Sequence, residues 1–547
     1  MSSSTVESPD QGIPARRHDL DALRAVAMLL GILLHAAISF LPAAGQWPVQ
    51  DSETSPAIMV LISAIHGFRM PLFFLISGYF TCMLYRRRGL AALLVHRFKR
   101  IFVPFVLSMV TIIPLSWVLV GTLANSKAGS PQQADSMPSI WREAANGDLA
   151  EVNAWLESGG DPNQAESDGS TAVHAACLFG RSEMYDVLVA AGGDPWQTNS
   201  RGDDGKDMLM APWGITAYVA GLVQVDADRE RVMAGRQRIA EKLGAVIPSN
   251  ITDGEASPPA AALAALMVGL NLMHLWFLWF LCLLVLGFST LVGVGRLILR
   301  WITIPRISPW WITSPARYAW LVPATAACQW SMAGDAPTFG AATSTSLLPT
   351  TSVLIYYAIF FGFGALWYDS APGMEENSHD PESMPDASTL SAPQTIRGWL
   401  SLLLASLLVV FPMGMRLMEA DGGITLALSA VLQATYAWWM SFAAMGFFAR
   451  YFSARRGWMR YLSDGSYWMY LIHLPLVWLL QFWVRDWEAP LAAKLLTVCV
   501  VTSMAMVVSY HVFVRYTFIG TLLNGRRRRL FGKSERPAPS IPTHAAV

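Results

Sequence analysis

The segment HDLDALRAVAMLLGILLHAAISFL, residues 18–41, decides what kind of protein this is. From Ala25 to Phe40 only His35 and Ser39 are polar, and the run matches the roughly 20 residues a helix needs to cross hydrocarbon. Working outward, windows of the same kind lie near 58–85, 101–122, 262–291, 317–334, 349–368, 397–418, 423–448, 461–483 and 491–514. With the first, at 20–41, they predict about ten transmembrane helices. Of the 547 residues 53% are hydrophobic and 14% charged, too apolar for a string of water-soluble domains. The expected fold class is therefore all-α, a polytopic membrane helical bundle. The N-terminal MSSSTVESPDQGIPARRHDLD lacks the basic-then-apolar order of a cleaved signal, so the first window reads as a permanent helix.

Net charge is zero, with 39 basic and 39 acidic residues, so no global field points to nucleic acid and the placement of charge carries the information. Arg16/Arg17, Arg86 to Arg100, Arg296/Arg300/Arg306, Arg397, Arg450 to Arg460 and Arg515 to Arg529 fall on one side of the predicted bundle. The short loops 42–57, 335–348 and 419–422 hold no Lys or Arg. The positive-inside rule then puts both termini in the cytoplasm, in a multi-pass protein of the plasma (inner) membrane. The expected organisation is a cytoplasmic tail at 1–19, membrane segments at 20–122 and 260–523, and a basic cytoplasmic tail at 524–547. DSAPGMEENSHDPESMPDAS, residues 369–388, reads as a disordered cytoplasmic loop. The five cysteines show no CxxC or Cys/His spacing, so neither a disulfide framework nor a metal site is expected.

The interval 123–258 breaks the apolar pattern and contains a repeat. Gly147-Asp148 recurs as Gly180-Arg181, Trp155-Leu156 as Leu188-Val189, and Gly160-Asp161-Pro162 as Gly193-Asp194-Pro195, each 33 residues on. Asp168-Gly169-Ser170-Thr171-Ala172-Val173-His174-Ala175-Ala176 has the form of a turn followed by the start of a helix. The pattern resembles ankyrin repeats over 139–220, with a degenerate third copy from Asp204-Gly205. The helix count puts this insert outside the cell. Its expected role is to bind a protein or glycan partner; a structural cap without a partner is the alternative. Such units stack in one dimension and need about three copies to be stable alone.

Ionisable residues inside membrane helices are costly, and each is a candidate functional group. Asp21 and Arg24, spaced i,i+3, can pair on one face of the first helix, as an interfacial anchor or as part of a site. His35 lies about 20 Å further along, at about 1.5 Å per residue. HGFRMPLFFLISGYF, residues 66–80, puts His66 and Arg69 in the outer half of the second helix and a Ser77-Gly78 break near its centre. Arg69 is too deep to reach water easily and is expected to face the bundle interior. The run Arg86-Arg87-Arg88 followed by Val95-His96-Arg97-Phe98-Lys99-Arg100 serves either as a topology signal or as a phosphate-binding mouth. His274, His473 and the loop acids Glu419/Asp421 complete the set.

Leu20-Asp21-x-Leu23-Arg24 with His35, Pro71-Leu72-Phe73-Phe74-Leu75-Ile76-Ser77-Gly78, Arg97-x-x-Arg100 with Pro104, and Ser466-Tyr467-x-x-Tyr470-Leu471-Ile472-His473-x-Pro475 together resemble the acyltransferase-3 family of integral membrane O-acyltransferases. The resemblance implies transfer of an acyl group, acetyl or succinyl, from cytoplasmic acyl-CoA to a hydroxyl of an extracytoplasmic glycan or glucan. His35 matches the family's catalytic histidine, and Arg97/Arg100 its Arg-x-x-Arg motif. On this reading His35 is the general base and Arg69 stabilises the oxyanion or orients His35. Arg97, Arg100 and Arg24, with Arg86 to Arg88 near by, hold acyl-CoA, while His66, Ser77, His274 and His473 line the substrate site. Acyl-CoA is the donor, no metal is expected, and membrane lipids and a protein partner of the insert complete the expected contacts, with no nucleic acid. Two other classes fit the charges: a transporter or flippase of a glycan or lipid, and a non-catalytic membrane receptor using the ankyrin-like module.

Overall fold

The computed structural model describes residues 17–42, 47–127, 140–166, 169–199, 203–211, 213, 216, 219–220, 225–247, 272–298, 308–332, 339–370, 398–418, 422–454 and 456–524. Glu419/Asp421, Asp168, most of the acidic stretch 369–388, most of both tails and the first part of the 262–291 window lie outside these residues. Among the described residues the elements are helical throughout. Among the described residues, seven helices are long and apolar enough to cross a membrane: His18–Ile38, Ala57–Ser116, Met273–Leu297, Thr351–Asp369, Gly398–Met418, Gly457–Val484 and Leu491–Val514.

The Ala57–Ser116 stretch holds two of the sequence windows, because its backbone is not one straight rod. Gly89, at φ +79 and ψ 173, is non-helical inside Ala57–Arg97. Beyond it the chain doubles back: Arg97 Nη2 donates to Thr81 Oγ1 at 2.9 Å. Sixteen residues of unbroken helix would separate the pair by about 24 Å. A π-helical turn at Phe98–Phe102 then leads into Val103–Lys127. The break therefore falls at Gly89 and not at Ser77-Gly78, where the sequence suggested one. A Cβ on Gly78 would lie 1.9 Å from Phe361 O, and one on Gly364 would lie 2.0 Å from Leu75 O. Gly78 thus serves close contact between Ala57–Arg97 and Thr351–Asp369, as small residues do between membrane helices.

Two sequence windows differ from expectation in character. The 423–448 window is a 29-residue helix, Gly423–Tyr451, which turns Ser429, Gln433 and Ser441 inward. These polar groups dilute its hydropathy, and it is not among the seven. The 317–334 window is the 15-residue helix Tyr318–Met332, short for a span at 1.5 Å per residue. Hydrogen bonds fasten the two together: Gln329 Nε2 donates to Gln433 Oε1 at 3.1 Å, and Gly340 N to the same oxygen at 2.7 Å.

The first helix, α1 (His18–Ile38), packs against Gly457–Val484 and Ala57–Arg97. Asp19 and Asp21 sit in its first turn, where the helix dipole favours carboxylates. Arg17 holds Asp19 at 2.9 and 2.7 Å, and Arg24 lies 3.8 Å from Asp21.

The insert has its own hydrophobic core, centred on Val152, Ala175, Phe179 and Leu188. Helices Ile140–Asn146 and Leu149–Glu157 are followed by Ala172–Leu178 and Ser182–Ala190. The 33-residue period is visible in the backbone, since Gly147 and Gly180 have φ +83 and +62, and Gly159 and Gly192 have +90 and +98. His174 links one unit to the next: Thr171 N–H donates to its Nδ1 at 3.0 Å, leaving Nε2–H for Asp203 O at 3.1 Å. The core runs on past residue 220 through Ile239 to Ile247. Helix Arg229–Leu243 carries a fully buried Arg236 whose guanidinium caps Leu178 O at 2.7 Å and Ala211 O at 2.6 Å. Burial pushes the Arg236 pKa down to about 10.

Candidate functional site

A cavity of about 1230 Å³ runs through the membrane bundle. Its lining includes all nine candidate site residues: Arg24 and His35 from α1; His66, Arg69, Ser77, Arg97 and Arg100 from the second helix and its continuation; and His274 and His473. Arg24 and His35 are eleven residues apart on one helix, about 16 Å along its axis. The cavity therefore has a basic end and a histidine end.

At the histidine end three imidazoles form a row. The ring centroids of His35 and His473 are 5.2 Å apart, and those of His473 and His274 are 5.0 Å apart. His473 Nδ1 is 2.7 Å from Tyr470 O, and His274 Nε2 is 2.9 Å from Leu471 O. A carbonyl only accepts, so each of these nitrogens is the protonated one in the neutral ring, and the other nitrogen keeps its lone pair. The same holds for His66, whose Nε2 donates to Ala341 O at 2.9 Å. Tyr470 OH donates to His274 O, which ties the turn to the Gly457–Val484 helix. The residue before His274 is Met273, at φ +46, a left-handed backbone that is costly for a side-chain-bearing residue. That turn presents His274 to the cavity.

Nδ1 of His35, like Nδ1 of His274, is buried with no hydrogen-bond partner among the described residues. The His35 ring is parallel to Trp47 within 3°, at 5.7 Å between centroids. Arg69 is the nearby cation, and Gly31 makes room for it: a Cβ there would lie 2.3 Å from Arg69 Nη1. Gly31 and His35 are i,i+4 and share a face of α1, so the guanidinium lies one turn from the imidazole. Arg69 Nε also lacks a partner among the described residues, and Nη2 meets only Met70 Sδ, at 3.7 Å. A charged donor left this free in a low-dielectric cavity is poised for an anion or a developing oxyanion.

At the basic end, Arg97 is bonded to Thr81 and Arg100 Nη1 to Leu523 O at 2.8 Å. Neither has a carboxylate partner among the described residues. Arg24, Arg87 and Arg88 share the lining. Arg86 is already engaged, holding Asp369 through two bonds of 2.7 and 2.5 Å, so it is not a free phosphate ligand as the sequence suggested. Ser77 lines the cavity while its carbonyl accepts from Thr81 Oγ1 at 2.7 Å.

Several groups that shape the site were not singled out from sequence. Trp47 and Trp478 line the histidine end. Gln481 donates to His35 O and Ala36 O, each at 3.0 Å. The readable signal for Gln481 was an amide inside an apolar helix.

Residues 17–156 match the family model of an acyltransferase domain. That segment contains seven of the nine candidate residues and ends inside the insert. The chain is 42% identical over 104 residues to glucans biosynthesis protein C of Escherichia coli strain SMS-3-5 / SECEC, covering 19% of this chain and 26% of that protein. It is 41% identical over the same length, with the same shares, to the protein of that name from the Crooks strain. The matched part thus spans about a quarter of the length of these curated relatives. No solved structure matches the chain.

Proposed function

We propose that this protein is a multi-pass membrane O-acyltransferase that moves an acetyl or succinyl group from cytoplasmic acyl-CoA to a hydroxyl of an extracytoplasmic glycan or glucan. The observation that carries the reading is one cavity with a guanidinium cluster at one end and, at the other, His35 Nδ1 and Arg69 Nε, neither of which has a hydrogen-bond partner among the described residues. The acyltransferase-domain match over 17–156 and the glucan-related name of the E. coli relatives support the same reading. On it, Arg97, Arg100 and Arg24 hold the phosphates of acyl-CoA, and the pantetheine arm extends along the cavity. His35 takes the proton of the acceptor hydroxyl as its oxygen attacks the thioester carbonyl. Arg69 stabilises the resulting oxyanion. Collapse breaks the carbon–sulfur bond, and the leaving thiolate of CoA takes the proton from the His35 imidazolium. His66, Ser77, His274 and His473 enclose the acyl group and the acceptor.

The same reading has ten passes in the inner membrane, cytoplasmic termini, and an extracytoplasmic ankyrin-like insert that binds a protein or the glycan. The test is mass spectrometry of envelope glycans from cells carrying the wild-type chain, His35→Ala, or neither. An acyl mass present only with the wild type is the expected result. Glycans of unchanged mass that change sides of the membrane would identify a transporter or flippase instead.

A further inference from the structure

We propose that Trp47 and Gln481 form a clamp that sets the imidazole plane of His35, which makes both of them positioning residues for the chemistry at that ring. His35 lies in the last turn of α1, where the final four carbonyls have no partner within the helix. The buried amide of Gln481 fills this need by donating to His35 O and Ala36 O at 3.0 Å each. Its other end accepts the indole N–H of Trp47 at 3.0 Å. One side chain therefore fixes both the backbone that carries His35 and the ring that lies parallel to it.

The clamp is itself held in place. Trp478, three residues before Gln481 on the same helix, meets Trp47 edge-on at 5.7 Å and 76°. Four residues after Trp47, Asp51 accepts from the buried Lys494 Nζ at 2.9 Å, and its own N–H donates to Ser39 O at 2.9 Å. The loop bearing Trp47 is thus tied at Asp51 to Ser39, the residue that follows α1, and to the Leu491–Ser509 helix. Trp47 lies parallel to the imidazole at 5.7 Å and His473 tilted to it by 38° at 5.2 Å, and these two rings limit how it can turn.

The experiment uses the full chain in lipid nanodiscs and has two readouts. In the first, diethyl pyrocarbonate labels the histidines, and mass spectrometry gives the rate at His35 relative to His511, which lies 3.2 Å from the Tyr461 hydroxyl, away from the clamp. Trp47→Ala and Gln481→Met should each raise that ratio by about fivefold, the scale of losing an aromatic pair. Trp47→Phe, which restores a flat ring but not the N–H that Gln481 accepts, should give a ratio between those of the wild type and Trp47→Ala. The second readout rests on the acyl-transfer reading: kcat should fall by about 10–10²-fold in Trp47→Ala and Gln481→Met, as for a misplacement of about 1 Å. KM for acyl-CoA should stay near the wild-type value, because the donor arginines are at the other end. An unchanged labelling ratio in folded Trp47→Ala, or in Gln481→Met, would overturn the clamp. If the wild type transfers no acyl group, the proposed activity fails, and the labelling ratio still decides the clamp.

Discussion

Replacing Gly31 by alanine separates stability from catalysis at one position. Gly31 lies in the interior of α1, where alanine is favoured over glycine by about 0.5–1 kcal/mol. The added Cβ would sit 2.3 Å from Arg69 Nη1 and 3.3 Å from Cζ. Ordinary contact begins near 3.4 Å, so the guanidinium must retreat by about 1.1 Å. The obstacle is the far end of a flexible side chain, so the fold absorbs the change cheaply. A cation that stabilises an oxyanion has no such latitude, and a misplacement of about 1 Å costs up to about 10²-fold in rate. The expected outcome is an unfolding temperature at or above wild type together with a large loss of transfer, measured with labelled acyl-CoA in proteoliposomes. Wild-type turnover in folded Gly31→Ala would refute the role given to Arg69.

Gly78→Ala should behave in the opposite way, because its Cβ would meet the backbone carbonyl of Phe361 at 1.9 Å. Overpacking of this kind costs about 1–3 kcal/mol or more, and a thermal-unfolding series checks it. Lys494→Met strands a buried Asp51 carboxylate and should destabilise by about 3–5 kcal/mol, whereas adding Asp51→Leu should recover much of the loss; denaturation of the single and double variants decides it. Arg97→Gln with Arg100→Gln should weaken acyl-CoA binding by about 10²–10⁴-fold, at about 1.5–3 kcal/mol for each of two charge-assisted bonds, and titration calorimetry on the purified variant reads it directly.

The long apolar windows were legible because a helix in hydrocarbon needs an uninterrupted run; the described part of each window contains helix, and among the described residues seven helices are long and apolar enough to cross a membrane. The candidate residues were legible for the same reason: His35 and Arg69 stand out against apolar neighbours, Arg97 belongs to a basic run, and all three line one cavity. Ser77-Gly78 was misread because a small residue that breaks a helix and one that admits a neighbouring helix look alike in one dimension. The turn at Gly89 directly follows Arg86-Arg87-Arg88, and a single glycine beside a basic run carries no turn signal of its own. Trp47 and Asp51 come from a loop, and Gln481 and Lys494 from later helices more than 400 residues away; the hydrogen bonds from Trp47 to Gln481 and from Lys494 to Asp51 join them in space. The insert's repeat could be read from its glycines, since their positive φ values impose the same residue at each 33-residue step. Its closing helix Arg229–Leu243 carries no copy of the repeat and was missed.

The central claim is that His35 acts as the base, and His35→Gln tests it most directly. Glutamine keeps similar bulk and hydrogen-bonding capacity but accepts no proton near neutral pH. With the purified variant in proteoliposomes, transfer from acyl-CoA should fall by about 10²–10⁴-fold, while acyl-CoA still binds at Arg97 and Arg100 with wild-type affinity. Transfer at a rate close to wild type would contradict the account.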